Sequence, residues 1–294
     1  MQNKPGVPRP IGVLGGENLS LHRRVLANID GLEVAAWAGG ESEEESPESG
    51  WRTSPNPQAL IDRPDLEGVV VNLPLVQRPY WAGQIERAGK SVMCPPPLPD
   101  QVDTTGQWMV LAPLLFSPLP QLIRQSHGAC GPLLHYQLSL DYPLKNLESG
   151  DGDRLELLVQ ECLSLVNHLW GPIDSVFARG RSLALNRPQA DWLVVLLRGY
   201  DGLEGQLQIN ALGAQARLRC ALWGRQGEQV IEEDLWSVQE AGLTAQYRSW
   251  AQCLAGSTAS LWAPQQVLPG QLLNQQVRQS IRQEKEIFRG DGHG

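Results

Sequence analysis

Residues 11–24, IGVLGGENLSLHRR, constrain the fold more than any other stretch of the chain. An apolar run (Ile11, Gly12, Val13, Leu14) meets Gly15-Gly16 and passes into residues able to carry a helix. A strand entering a glycine turn that aims a helix N-terminus outward is the start of a nucleotide-binding βαβ unit. The full fingerprint is G-x-G-x-x-G, and only its first glycine, Gly15, is in place. Glu17 fills the second slot and Ser20 the third. A side chain at the second slot blocks backbone approach to a pyrophosphate, and a glutamate adds negative charge beside it. If that is what excludes a dinucleotide, Glu17→Gly should raise cofactor affinity.

The 294 residues suit two domains, and 41% hydrophobic residues can fill their cores. A net charge of −8 argues against nucleic acid or an anionic membrane as partner. No apolar stretch reaches the roughly 18 residues of a membrane span. The opening MQNKPGVPRP carries no apolar leader, so a cytoplasmic location is expected. The five cysteines are widely spaced and form no C-x-x-C or Cys/His cluster, which suggests reduced thiols and no metal.

Alternation along the first part predicts a doubly wound α/β domain over residues 1–118. Strands are expected at 32–37, 66–73, 92–94 and 109–116, with helices at 19–29, 56–63, 78–88 and 103–111. An acidic residue ordinarily ends the second strand and holds the ribose hydroxyls, whereas this chain has Ala38-Gly39-Gly40. The acidic run at 41–48 reads as a solvated loop, with docking to a basic partner as the sharper alternative. Residues 119–294 predict an α+β domain with a mostly antiparallel open sheet. A helix at 118–126 precedes a strand at 133–141, and a long helix spans 154–170. Strands follow near 175–183, 191–198, 205–212, 217–223 and 229–236, and helices near 243–254 and 270–288.

The packing motifs resemble the Gfo/Idh/MocA oxidoreductases. Gly68-Val69-Val70-Val71-Asn72-Leu73-Pro74 is similar to that family's DAVVIATP strand, and Ala88-Gly89-Lys90-Ser91-Val92-Met93-Cys94 to its AGKHVLC. Gly128 to Leu133, Asp201-Gly202 with Gly205, and Gly224 to Gly227 resemble three further turns in the same order. The resemblance implies a Rossmann domain followed by an open-sheet domain. By position it places any cofactor against Gly15, Glu17, Asn18, Leu73, Pro74, Pro95 and Pro97.

The family's catalytic positions are changed. Pro96 stands where the resemblance puts the lysine of EKP, and proline has neither an ionisable group nor an N–H. Leu157 and Glu161 stand where it puts the aspartate and histidine of D-x-x-x-H, and Arg78 where a loop histidine would be. The resemblance thus implies a pseudo-oxidoreductase without a bound cofactor, acting as a binding, regulatory or assembly protein. It also implies a homodimer through the C-terminal sheet, whose strand regions supply Trp192, Trp223 and Trp236. A protein partner or small ligand would fit the same reading. The alternative is an NAD(P)-dependent oxidoreductase with a rearranged site built from Glu161, Arg78 or Cys94, acting on a bilin or small carbonyl compound. The arginines that related biliverdin reductases carry on the long helix are reduced here to Arg154, off the matching position. A third reading is a sensor that binds a metabolite without turning it over. His22, His127, His135 and His168 are isolated and read as structural or exposed.

Overall fold

The computed structural model describes residues 7–16, 19–39, 51–99, 108–143, 152–183, 190–256 and 264–289; side chains at 152–154 and 264–267 are not described. Glu17, Asn18 and the acidic run at 41–48 lie outside the described residues. Two compact units emerge. The first comprises Met1–Pro113 with Gly242–Leu268, and the second Leu114–Ala241 with Pro269–Gly294.

The first unit is a parallel sheet. Its strands are β1 (Arg9–Leu14), β2 (Leu32–Ala38), β3 (Arg52–Thr53), β4 (Gly68–Val71), β5 (Ser91–Cys94) and β6 (Trp108–Val110), in the order β3-β2-β1-β4-β5-β6. The order reverses between β1 and β4, which makes their carboxyl ends the crevice where a doubly wound sheet binds its ligand. β4 throughout and β1 from Ile11 onward are apolar and buried, as burial on both faces requires. Helices α1 (Leu19–Leu26), α2 (Pro57–Ile61) and α3 (Arg78–Arg87) cross between them.

The apolar stretch at 109–116 divides in a way the sequence pattern does not predict. Trp108–Val110 pairs with β5, whereas Pro113–Phe116 is helix α4, because proline at a first helical position suits a helix start. Residues 103–107 of the expected helix at 103–111 lie outside the described residues, and Trp108–Val110 is strand rather than helix.

A helix from the second half of the chain completes this unit. Helix α7 (Leu235–Leu254) begins eight residues before the expected 243, at a cap where Asp234 Oδ1 accepts the Ser237 amide at 2.8 Å. From Gly242 onward its residues belong to the first unit. Gln246 Nε2 donates to the Val110 carbonyl at 2.8 Å while its Oε1 accepts from the Ala112 amide at 3.2 Å. Trp250 Nε1 donates to Ser91 Oγ at 2.8 Å, and its ring lies against Gly68, where a Cβ would meet Cζ2 at 2.5 Å. Glycine opens the DAVVIATP-like strand here because an indole packs on it.

The second unit is a seven-stranded sheet. Helix α5 (Leu119–Cys130) leads into β7 (Leu133–Asp141), and helix α6 (Gly152–Trp170) into β8 (Ile173–Arg181), β9 (Trp192–Gly199), β10 (Glu204–Asn210), β11 (Arg217–Gly224) and β12 (Gly227–Asp234). Helix α8 (Pro264–Gln283) and the short β13 (Ile287–Phe288) close the chain. The order is β12-β11-β7-β10-β9-β8-β13, antiparallel except where β10 runs parallel to β7. Strict alternation buries Tyr136, Leu138 and Leu140 on the face covered by α5 and α6, and leaves the opposite face open. Tyr136 stacks on Trp170 at 3.8 Å between centroids and lies directly over Gly205, whose Cβ would overlap the ring.

Three expectations in this unit are corrected. Helix α5 runs through Gly128, where an added Cβ would meet open space, and stops at Gly131 with φ +72°. Helix α8 stops at Gln283, before Glu284 at φ +51°, and Ile287–Phe288 pairs with β8 rather than continuing the helix. Trp236 lies in α7, edge-on to Tyr142 at 5.4 Å, and not on a strand. Among the described residues no helix is long and apolar enough to cross a membrane, and no three His, Cys, Asp or Glu side chains gather as metal ligands.

Candidate functional site

The carboxyl ends of β1, β4 and β5 bring together Gly15, Leu73, Pro74, Pro95 and Pro97 of the positional cofactor set. Gly15 leaves β1 at φ +97°. Its amide donates to the Ala38 carbonyl at 2.8 Å, and the Asn72 amide donates to Leu14 at 2.6 Å. A Cβ at Gly15 would overlap the Asn72 carbonyl and lie 2.9 Å from Leu73 Cδ2. This glycine is demanded by the close approach of β4, whether or not a phosphate is ever bound.

The end of β2 is filled by its own tryptophan. Trp37 is 5% exposed, and its Nε1 donates to the Gly15 carbonyl at 3.0 Å. The far edge of the ring lies against Gly39, where an added Cβ would overlap Cη2 and sit 2.5 Å from Cζ2. The indole therefore reaches from the glycine turn to the residue that should carry the ribose-binding carboxylate. Ala38 and Gly39 offer no polar side chain, and Gly39 cannot gain one while the ring stays in place. Sequence reading missed Trp37: an apolar residue at a strand end announces burial, but not which way its bulky ring system lies.

At the end of β5, Cys94 is fully buried, and burial pushes its thiol up to about 12, with the Arg78 charge only partly opposing the rise. A nucleophile must be an accessible thiolate, so Cys94 is a packing residue. Its Sγ lies 3.2 Å from the Pro95 carbonyl as a weak donor. Arg78 is also fully buried. Its Nε donates to the Leu73 carbonyl at 2.5 Å and one terminal nitrogen donates to the Pro96 carbonyl at 2.8 Å. The guanidinium thus ties the loop after β4 to the loop after β5, and the resulting geometry is a brace rather than a proton donor facing solvent. Asn72 is 4% exposed, and its Nδ2 is a buried donor with no hydrogen-bond partner at this edge.

At the end of β2, Ala38 and Gly39 carry no acceptor side chain and the Trp37 ring lies against Gly39, and Pro96 has no ammonium to offer a carbonyl or hydroxyl oxygen.

Glu161 belongs to the second unit, on α6. It is 7% exposed, and its Oε2 accepts the Leu114 amide at 3.3 Å, at the start of α4. A carboxylate at the first turn of a helix stabilises unsatisfied amides there. His168 Nε2 lies 2.5 Å from an Arg124 guanidinium nitrogen. Burial first, and then the Arg124 charge, lower its pKa. His22 is buried in the first unit with Nδ1 2.6 Å from the Tyr247 hydroxyl.

No protein-family model matches the sequence, and no curated protein matches it. Solved structures do match in shape. A myo-inositol 2-dehydrogenase from Lactobacillus plantarum aligns with TM-score 0.84 at 13% identity, over 96% of this chain and 99% of its own. An apo scyllo-inositol dehydrogenase from Lactobacillus casei aligns with TM-score 0.77 at 13% identity, over 98% and 99%. The WlbA dehydrogenase from Bordetella pertussis, solved with NADH and UDP-GlcNAcA, aligns with TM-score 0.77 at 16% identity, over 96% and 98%. The chain has the two-domain Gfo/Idh/MocA fold that its packing motifs imply.

Proposed function

We propose that this chain uses the Gfo/Idh/MocA fold without its redox chemistry, as a binding, regulatory or assembly protein. The observation that carries this reading is the Trp37 indole, hydrogen-bonded to the glycine turn and packed on Gly39, at the strand end to which the family resemblance assigns the ribose. Pro96 in place of a lysine supports it, as do Glu161, engaged with a backbone amide, and Arg78, engaged with two carbonyls.

The domains of this reading are a degenerate Rossmann domain and a C-terminal sheet domain. The second pairs two copies of the chain through its open face. Cross-strand register places Val230, Ala221, Gln137, Gln206, Leu196 and Phe177 in one row across that face. Val230 and Leu196 are 47% and 48% exposed. Exposed Val230 and Leu196 on either side of the central Gln137 and Gln206 suit a mixed apolar and polar isologous interface. None of the five cysteines is in a disulfide, which suits a reducing compartment, and the cytoplasm is the proposed location.

Light scattering combined with Leu196→Asp tests the pairing: a dimer that becomes a monomer supports it, and a monomeric parent protein overturns it. The redox alternative keeps the WlbA structure's NADH as its precedent. Titration of the full chain with NADH and NADPH separates the two readings.

A further inference from the structure

The charges on the open face of the second sheet are not evenly scattered. Glu228, Glu232 and Asp234 stand on β12 at one edge, and Arg179 and Arg181 on β8 towards the other. Arg217 and Arg219 lie on β11, Arg198 on β9, Asp141 on β7 and Glu204 on β10. These charges cancel, on a chain whose net charge is −8. Arg217 already pairs with Glu232 at 2.8 Å within the chain. The middle of the face falls between β7 and β10, where Gln137, Ser139, Gln206 and Gln208 are neutral and can both donate and accept hydrogen bonds.

A face that pairs with a copy of itself does so about a twofold axis lying in the plane of contact. Two directions keep the strands of both copies aligned, as stacked sheets prefer. An axis across the strands sets each strand on its own copy. Glu228 then meets Asp234, acid on acid, while Val230 meets Glu232 and Phe177 meets Arg179, and no acid meets an arginine. An axis along the strands, between β7 and β10, instead sets β12 on β8, β11 on β9 and β7 on β10, row on row. Val230 then meets Phe177, Ala221 meets Leu196, and Gln137 meets Gln206. In the next rows Glu232 meets Arg179 and Asp234 meets Arg181. Long side chains span the roughly 10 Å between stacked sheets. His135 meets Glu204, and Arg198 and Arg217 meet the rings of Trp223 and Trp192, which attract a cation. The least favourable contacts set Arg219 on Val194, and Glu228 on Ser175, whose hydroxyl donates to Glu286 at 2.5 Å. Arg198 borders that corner on the adjoining strand.

We infer, on the pairing proposed above, that two copies meet about a twofold axis running along the strands between β7 and β10. The acids of β12 then lie on the arginines of the other copy's β8, apolar side chains cover each other, and neutral amides occupy the centre. Charge complementarity of this kind fixes the register of an interface and disfavours other arrangements.

The test is sedimentation velocity of the full chain over a concentration series, with Glu232→Lys and Arg179→Glu made singly. Both positions are exposed, so the melting temperature of each monomer should stay near that of the parent. Each variant alone sets like charges against each other at two places, and should weaken pairing roughly tenfold. An equimolar mixture of the two variants should pair as tightly as the parent, because each mixed pair has opposite charges at both places. A parent protein that sediments as a monomer overturns the pairing itself, and the axis with it. A dimeric parent whose single variants pair unchanged, or whose mixture pairs no better than either variant, overturns the axis alone.

Discussion

The packing of Trp37 on Gly39 makes a quantitative prediction through a double-mutant cycle. Gly39 does not adopt a left-handed backbone, so any cost of giving it a side chain is steric. A Cβ at this position would overlap the tip of the Trp37 ring, and overpacking of this kind costs about 1–3 kcal/mol. Gly39→Ala should therefore destabilise the protein by that amount. Trp37→Leu removes the part of the ring that reaches Gly39 and also the hydrogen bond to Gly15. Truncating a buried tryptophan costs up to roughly 3–5 kcal/mol, and leucine, being larger than alanine, should fall at or below the low end. In the Trp37→Leu background the overlap is gone, so Gly39→Ala should cost close to nothing. The coupling, read from urea midpoints by far-ultraviolet circular dichroism, should be about 1–3 kcal/mol in magnitude. Strictly additive effects would mean the indole does not occupy the end of β2, and the reasoning from it would fail.

Further outcomes follow from the same geometry. A thiol reagent at pH 8 should label the folded protein slowly and at Cys253 first, because Cys94, Cys130, Cys162 and Cys220 are buried; rapid labelling of Cys94, read by mass spectrometry, would refute its assignment to packing. Arg78→Met should destabilise by roughly 2–5 kcal/mol, since it leaves two buried carbonyls without their donor, and Arg78→Lys should not restore the loss, because one ammonium lacks the guanidinium's fork. His168, with its pKa lowered in the folded state, is neutral there while the unfolded chain takes up a proton near pH 6.5. Stability should thus be complete above that pH and decline as the pH falls towards the folded value. His168→Gln should flatten this part of the profile, as measured by urea midpoints between pH 7.5 and 5.5, and an unchanged slope would assign the decline to other groups.

The fold was legible where residue pattern and burial coincide. Apolar runs bounded by glycine mark β1, β4 and β5, because central parallel strands must be apolar on both faces. Strict alternation marks β7, which has only one covered face. Legibility failed where local signals compete. Pro113 begins a helix inside an apolar run that reads as strand, and Asp234 caps α7 ahead of residues that read as the end of β12. Gly128 reads as a helix stop, but the left-handed residue that ends α5 is Gly131. At the site, the residues that are missing could be read directly: an acid after β2 and a lysine at Pro96. The packing of Trp37 on Gly39 could not, since only tertiary packing turns its ring towards Gly15. The bracing role of Arg78 was not legible either, since only the convergence of the Leu73 and Pro96 carbonyls explains its complete burial.

The central claim concerns the dinucleotide, and direct calorimetric titration of the full chain with NADH tests it most plainly. Micromolar affinity corresponds to about 8 kcal/mol of binding free energy. A crevice that lacks a ribose acceptor and is filled by an indole should fall far short of that. The account predicts no saturable heat up to millimolar NADH, with binding emerging only when Trp37→Leu is combined with Gly39→Asp. Saturable micromolar binding to the unmodified protein would contradict it.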